Sequence, residues 1–274
     1  MCNVSKLFAA AFVASAVMLL ALPCVSLAAD DGHGTAIEAQ DWSFAPPFGH
    51  FDRGQLQRGY KVYKYVCANC HSMNLLSYRN LGEPGGPEFS EKAVEVLASQ
   101  AQITVGPDDT GKMFQRPAKP SDRFRAPYAN DQAARAANGG ALPPDLSVMA
   151  KARPGGPDYL HALLTGYEEP PSDMEMTKGM QYNNAFPGHQ IAMPNPLAEG
   201  VVEYTDGTEP TVENYARDVS AFLMWTAEPK LEERHKLGAR IMIFLLVFAV
   251  IMFLAKRVVW APVHRRDHAA KSDT

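Results

Sequence analysis

Cys67-Ala68-Asn69-Cys70-His71 decides how this 274-residue chain is to be read. A C-x-x-C-H run is the attachment signature of c-type haem. Two thiols three positions apart can bond the two vinyl groups of one porphyrin, and the adjacent histidine can turn its imidazole onto the iron. Two other chemistries use paired cysteines. A structural zinc site would need a second C-x-x-C, or an H-x3-5-H pair at zinc-finger distance, and neither accompanies this motif. A thioredoxin-like redox pair would sit beside a βαβ unit, and nothing around the motif reads as one. The motif therefore predicts one covalently attached haem c.

Working outward, Leu56, Tyr60, Tyr63 and Cys67 recur at helical spacing, so a helix should run into the motif. A second helix is predicted far downstream, N-capped by Thr211, with Val212, Tyr215, Val219, Phe222 and Leu223 as its apolar stripe. Glu88 to Gln100 and Asp158 to Thr165 read as shorter helices. Between them, runs such as Gly82-Glu83-Pro84-Gly85-Gly86-Pro87, Pro143-Pro144, Pro170-Pro171 and Pro194-Asn195-Pro196 break helices and favour turns. Helix, haem motif, loop-rich centre and final helix is the order of a cytochrome c-like fold. The expected class is mainly α, with long loop insertions, and with Gly59 permitting close approach where the first and last helices cross.

His71 supplies only one axial position. The remaining candidates outside the membrane are methionines 73, 113, 149, 174, 176, 180 and 193 and histidines 33, 50, 161, 189 and 235. Spacing alone does not choose among them. Met193 is favoured by its setting, Ile191-Ala192-Met193-Pro194-Asn195-Pro196, where prolines would stiffen an extended loop. His189 is second. A Met/His pair suits electron transfer rather than oxygen binding.

The two ends of the chain set its compartment. Lys6, the uncharged apolar run from Leu7 to Leu22, and the small-x-small site Ser26-Leu27-Ala28 form a secretory signal, expected to be cleaved so that Ala29 begins the mature chain. Cys2 and Cys24 would leave with it, so no internal disulfide framework is possible. Gly238 to Ala255 is interrupted only by Arg240 and extends to Trp260, roughly the ~20 residues that cross the hydrocarbon layer. The predicted organisation is a signal at 1–28, an external haem domain at 29–236, an anchor at 237–257 and an inner tail at 258–274. That tail, counted from Lys256, carries five Lys or Arg against two acids and should stay cytoplasmic. Residues 29–236 carry 28 acids against 19 bases, which disfavours nucleic acid as a partner. Ten of those acids fall between Glu168 and Asp218 against only Lys178 and Arg217, a field able to steer a basic protein. The signal lacks the Arg- and Ser-rich character of an organelle transit peptide, so the expected location is a bacterial cytoplasmic membrane with the haem domain in the periplasm.

Longer runs carry a family resemblance. Arg135-Ala136-Ala137-Asn138-Gly139-Gly140-Ala141-Leu142-Pro143-Pro144-Asp145-Leu146-Ser147 resembles the hallmark of the cytochrome c1 family, the haem subunits of ubiquinol–cytochrome c oxidoreductase (the cytochrome bc1 complex). Tyr60-Lys61-Val62-Tyr63-Lys64, Met113-Phe114-Gln115-Arg116-Pro117, Leu163-Leu164-Thr165-Gly166-Tyr167, the Met193 loop and Trp225-Thr226-Ala227-Glu228-Pro229 match in the same order. The resemblance implies thioether bonds at Cys67 and Cys70, His71 as proximal ligand and Met193 as distal ligand. It also implies pairing of Arg153 with a haem propionate, and Asn138, Pro143 and Tyr159 lining the pocket. Some members carry an extra cysteine pair that this chain lacks. The implied role is a redox subunit, not an enzyme by itself. It would take electrons from the Rieske iron–sulfur protein, pass them to a soluble cytochrome c, and pack its anchor against cytochrome b in a dimeric complex. Two rival readings share the haem motif: a tethered cytochrome serving a chain without a bc1 complex, and a haem sensor or peroxidase with an open iron position. The c1-type runs argue against the first, and a ligating Met193 would argue against the second.

Overall fold

The computed structural model describes residues 37–272, with side chains to residue 262. The signal over 1–28, its cleavage site, His33, and the basic side chains Arg265 and Arg266 of the tail lie outside the described residues.

Among the described residues, seven helices and two small hairpins follow one another: α1 (Arg53–Tyr65), α2 (Glu91–Ser99), β1 (Gln102–Val105), β2 (Phe114–Pro117), α3 (Asp131–Ala137), α4 (Met149–Ala152), α5 (Gly156–Thr165), β3 (Gln181–Tyr182), β4 (Gln190–Ile191), α6 (Val212–Ala227) and α7 (Leu231–Ser272). Short 3-10 turns span Cys67–Asn69 and Tyr78–Gly82. The mainly helical class read from the sequence is what is found. β1 pairs antiparallel with β2, and β3 with β4.

Local chemistry explains the helix starts. The Asp52 carboxylate accepts from the Gln55 N–H, the Ser90 hydroxyl from the Ala93 N–H, and the Thr211 hydroxyl from the Asn214 N–H, each satisfying a donor with no intrahelical partner. The predicted Thr211 cap is observed, and α2 begins at Glu91 rather than Glu88 because Ser90 caps it.

The crossing of α1 and α6 forms the core. Tyr60 and Tyr63 pack on Phe222, both ring pairs 5.8 Å apart, and Phe124 closes the cluster against Tyr60, Tyr63 and Tyr78. A Cβ on Gly59 would overlap the Asp218 carbonyl oxygen and lie 2.7 Å from the Phe222 Cβ, so only glycine permits this approach. Arg58, one residue earlier, forks onto the buried Asp218 carboxylate at 2.7 and 3.1 Å and also reaches Asp206 at 2.7 Å. α1 is thereby tied both to α6 and to the loop that precedes it.

α7 is longer than the anchor expected at 237–257, since Glu232, Glu233, Arg234 and Lys236 continue its helical backbone rather than precede it. At about 1.5 Å per residue its 42 residues exceed the ~30 Å hydrocarbon layer about twofold. Within residues 231–262 an 18-residue stretch has mean hydropathy 2.7 and none of it is buried, so this helix is long and apolar enough to cross a membrane.

Candidate haem site

α1 delivers the motif. Its last turn passes into the 3-10 turn Cys67–Asn69, whose backbone bonds (Cys70 N–H and His71 N–H to the Cys67 carbonyl, 3.1 and 2.8 Å) fold the two cysteines and the histidine around one point. Both cysteines are free thiols. Burial pushes the Cys67 thiol up to about 12, which keeps it protonated at neutral pH. Among the described residues, no group of three His, Cys, Asp or Glu side chains gathers to hold a metal ion. The hairpins are separate and antiparallel, so no βαβ unit frames the cysteines either.

His71 is oriented from behind. Its Nδ1 lies 2.8 Å from the Pro144 carbonyl oxygen, which can only accept, so Nδ1 donates and Nε2 keeps its lone pair. Burial lowers the imidazole pKa, outweighing the opposite pull of Pro144 and Asp145, so the ring is held neutral. A neutral imidazole with one nitrogen donated to a carbonyl and the other free is the form that ligates metal.

The segment that supplies this carbonyl is sewn to the motif's exit. The Asp145 carboxylate accepts from the Ser72 hydroxyl at 2.8 Å, the Asn74 N–H at 2.7 Å and the Ser147 N–H at 2.9 Å. The Leu146 N–H donates to the Ser72 carbonyl at 2.9 Å and the Leu75 N–H to the Ser147 hydroxyl at 3.0 Å. Burial opposes the Asp145 charge, but these donors outweigh it and hold the carboxyl below its ordinary value. Sequence reading singled out Pro143, which is half-buried, whereas Pro144, Asp145 and Ser147 do the positioning. A carbonyl contact leaves no trace in residue type; only the Asp-x-Ser spacing hinted at a local turn.

A second cluster gathers the other candidates. The Tyr167 hydroxyl donates to the Met193 carbonyl at 3.1 Å, and Met193 is half-buried. Burial raises the Tyr167 phenol, and Tyr159 adds to that. Burial likewise raises Tyr159, against the positive charge of Arg153. Arg153, Tyr159, Tyr167 and Met193 thus form one neighbourhood, and Arg153 is exposed with no ion pair among the described residues. Asn138 follows α3 as its C-cap and donates its amide to the Ala134 carbonyl and the Tyr128 hydroxyl.

Four of the rival ligands have other contacts. Met73 and Met149 are core residues. His161 is buried at 2.9 Å from Glu213. His189 closes the β3–β4 turn at φ 59° with Nδ1 on the Asn183 carbonyl and its ring stacked on Tyr182. Two unpaired thiols and a neutral imidazole with a free nitrogen fit a covalently attached haem.

A C-x-x-C-H motif of this form together with a membrane-length helix has the features of a c-type cytochrome, and comparison with known proteins narrows this. The model of the Cytochrome C1 family matches residues 42–263. Cytochrome c1 of Rhodospirillum rubrum is 44% identical over 246 residues, covering 84% of this chain and 89% of that protein. Cytochrome c1 of Blastochloris viridis is 41% identical over 273 residues, covering 93% and 97%. A protein named cytochrome b/c1 from Bradyrhizobium diazoefficiens is 50% identical over 242 residues, covering 81% of this chain, which spans only 35% of that protein's length. The chain belongs to the Cytochrome C1 family, the haem-bearing electron-transfer subunits of the cytochrome bc1 complex.

Proposed function

We propose that this chain relays single electrons from a Rieske iron–sulfur protein, through a haem c held by His71 and Met193, to a soluble cytochrome c. The observation that carries the reading is the His71 Nδ1 bond to the Pro144 carbonyl, which leaves Nε2 free beside two unpaired cysteines. Haem iron, when bound, would supply a reversible one-electron couple, with a potential raised by a methionine ligand. This chain's residues would do the rest. Cys67 and Cys70 fix the group covalently. Pro144 and Asp145 hold the imidazole plane. Tyr167 holds the Met193 segment by its carbonyl. Arg153, without a carboxylate of its own, would pair with a propionate near Tyr159, while Pro143 and Asn138 complete the pocket wall.

Nine of the ten acids between Glu168 and Asp218 are exposed, which supports a docking field for a basic acceptor. Asp218 is buried on Arg58 and does not belong to that field. The anchor would pack against cytochrome b in a dimeric complex, and the relative named cytochrome b/c1 supports that neighbour. The cleaved signal, the periplasmic haem domain over 29–236 and the cytoplasmic tail complete the proposal.

Inhibitor-sensitive quinol-to-cytochrome c electron transfer by the complex that co-purifies with this chain tests it. Turnover lost in Met193→Leu, with cytochrome b and the Rieske protein still bound, is the expected result. A chain that purifies without these partners and shows no quinol-driven reduction would instead be a free tethered cytochrome.

A further inference from the structure

The loop at residues 43–50 is built in two halves of opposite character. Its roots are core: Trp42, Phe44 and Phe51 are buried, with Trp42 stacked on Phe44 at 5.2 Å and Phe44 tilted against Phe51 at 5.0 Å. Backbone bonds close it, from the Ala45 N–H to the Trp42 carbonyl at 3.0 Å and from the His50 N–H to the Ser43 carbonyl at 2.9 Å. Its tip is Ala45, Pro46, Pro47 and Phe48, four uncharged residues that are all exposed. Phe48, at 80%, exceeds every other exposed large apolar side chain described.

A single exposed apolar residue is ordinary; the location of this one is not. Three residues on, the Phe51 N–H donates to Glu232 at 3.0 Å, and Arg53 forks onto the same carboxylate at 2.7 and 3.1 Å. Glu232 lies in the first turn of α7. Five residues further, about 7.5 Å of helix rise, Leu237 begins the exposed apolar surface that runs to Trp260. Three residues of chain reach at most about 11 Å, so Phe48 stays that close to Phe51, whose own N–H is bonded to the first turn of α7. Lys230, Arg234 and Lys236 are exposed around the same turn and pair there with Glu233, Glu228 and Glu232, so the root of the helix is a charged, polar collar next to the apolar surface.

We infer that the 45–48 loop seats in the headgroup layer of the bilayer beside α7, giving the haem domain a second membrane contact, with Phe48 as its aromatic anchor. A single transmembrane helix leaves an attached domain free to swivel and tilt. A second contact at its root fixes which face the domain presents to its redox partners. The inference rests on α7 spanning the membrane.

The test is a spin label on Phe48→Cys in the whole complex, reconstituted into vesicles of phosphatidylcholine and phosphatidylglycerol, with the unsubstituted complex as background. The haem spectrum reports that the variant is folded. Collisions with lipid-soluble oxygen should exceed those with a water-soluble nickel chelate severalfold relative to a freely solvated label. A label reached mainly by nickel overturns the inference, and a label reached by neither places Phe48 against another subunit and overturns it as well. Carbonate extraction separates the two readings: release of the chain from the vesicles means that the anchor assignment fails, whereas retention with a nickel-accessible label defeats the loop contact alone.

Discussion

His71 is held by the Pro144 carbonyl, and that carbonyl is held by the side chain of the next residue. Asp145 collects three donors from residues 72, 74 and 147, so its carboxylate works as a rivet between the motif's exit and the segment behind the imidazole. Asp145→Ala would leave those donors unmatched in a partly buried place, a cost of about 2 to 4 kcal/mol. The loss should appear as a lower midpoint in guanidinium denaturation followed by haem absorbance, with haem still attached through Cys67 and Cys70. Tyr167→Phe is a gentler change. It removes one bond to the Met193 carbonyl, about 0.5 to 1.5 kcal/mol. On the proposed Met193 ligation, the expected sign is increased carbon monoxide binding to the reduced protein, because a looser Met193 segment would yield its place more readily; unchanged binding would detach Tyr167 from that role. The motif and Met193 stood out in the sequence because their residue types carry the chemistry. Pro144 and Tyr167 did not, because one acts through its backbone and the other upon a backbone.

Helices α1 and α6 were readable for a different reason. Their apolar stripes have the period of a buried helical face, and Asp52 and Thr211 supply oxygens where a helix start needs acceptors. Gly59 was readable too, as a glycine on the face of α1 that meets α6. Its substitution sets two effects against each other. Alanine is favoured over glycine inside a helix by about 1 kcal/mol. Here the new Cβ would overlap the Asp218 carbonyl oxygen, and core overpacking costs about 1 to 3 kcal/mol or more. The clash wins because the obstacle is backbone, which cannot rotate aside. Gly59→Ala should therefore lose roughly 2 kcal/mol net, read as a lower thermal midpoint by far-UV circular dichroism; a midpoint equal to or above the parent would mean that the helices can separate freely. The elements that pattern did not reveal are those with little to bury. α3 hides only Ala134, and β1 and β2 have no buried residue, so neither carries a stripe to detect.

Across the whole molecule, ion pairs join segments that the sequence separates widely. Arg58 reaches Asp206 and Asp218, Arg53 reaches Glu232, and Lys151 reaches Glu228 at 2.6 Å. Composition announced the acid excess and the anchor, but not which acids are spoken for, since pairing depends on the folded path. These pairs make stability depend on pH in a definite direction. The Arg58 guanidinium holds the Asp206 carboxyl down to about 2, from an ordinary 3.8. Burial pushes Glu228 up, but Lys151 and Arg234 outweigh it and leave its carboxyl below the ordinary 4.5. A carboxyl with a depressed folded pKa stabilises the fold above its unfolded pKa, and that stabilisation disappears as pH falls through the folded value. The contribution of Asp206 is thus complete above about pH 4 and lost between about pH 3.8 and pH 2. Asp206→Asn isolates it. The variant should melt slightly below the parent at pH 6, and the gap should close as both are acidified to pH 2. A gap that persists at pH 2 would show that Asp206 acts by hydrogen bonding in its loop rather than by its charge on Arg58, and the charge tie from Arg58 would then run to Asp218 in α6 alone.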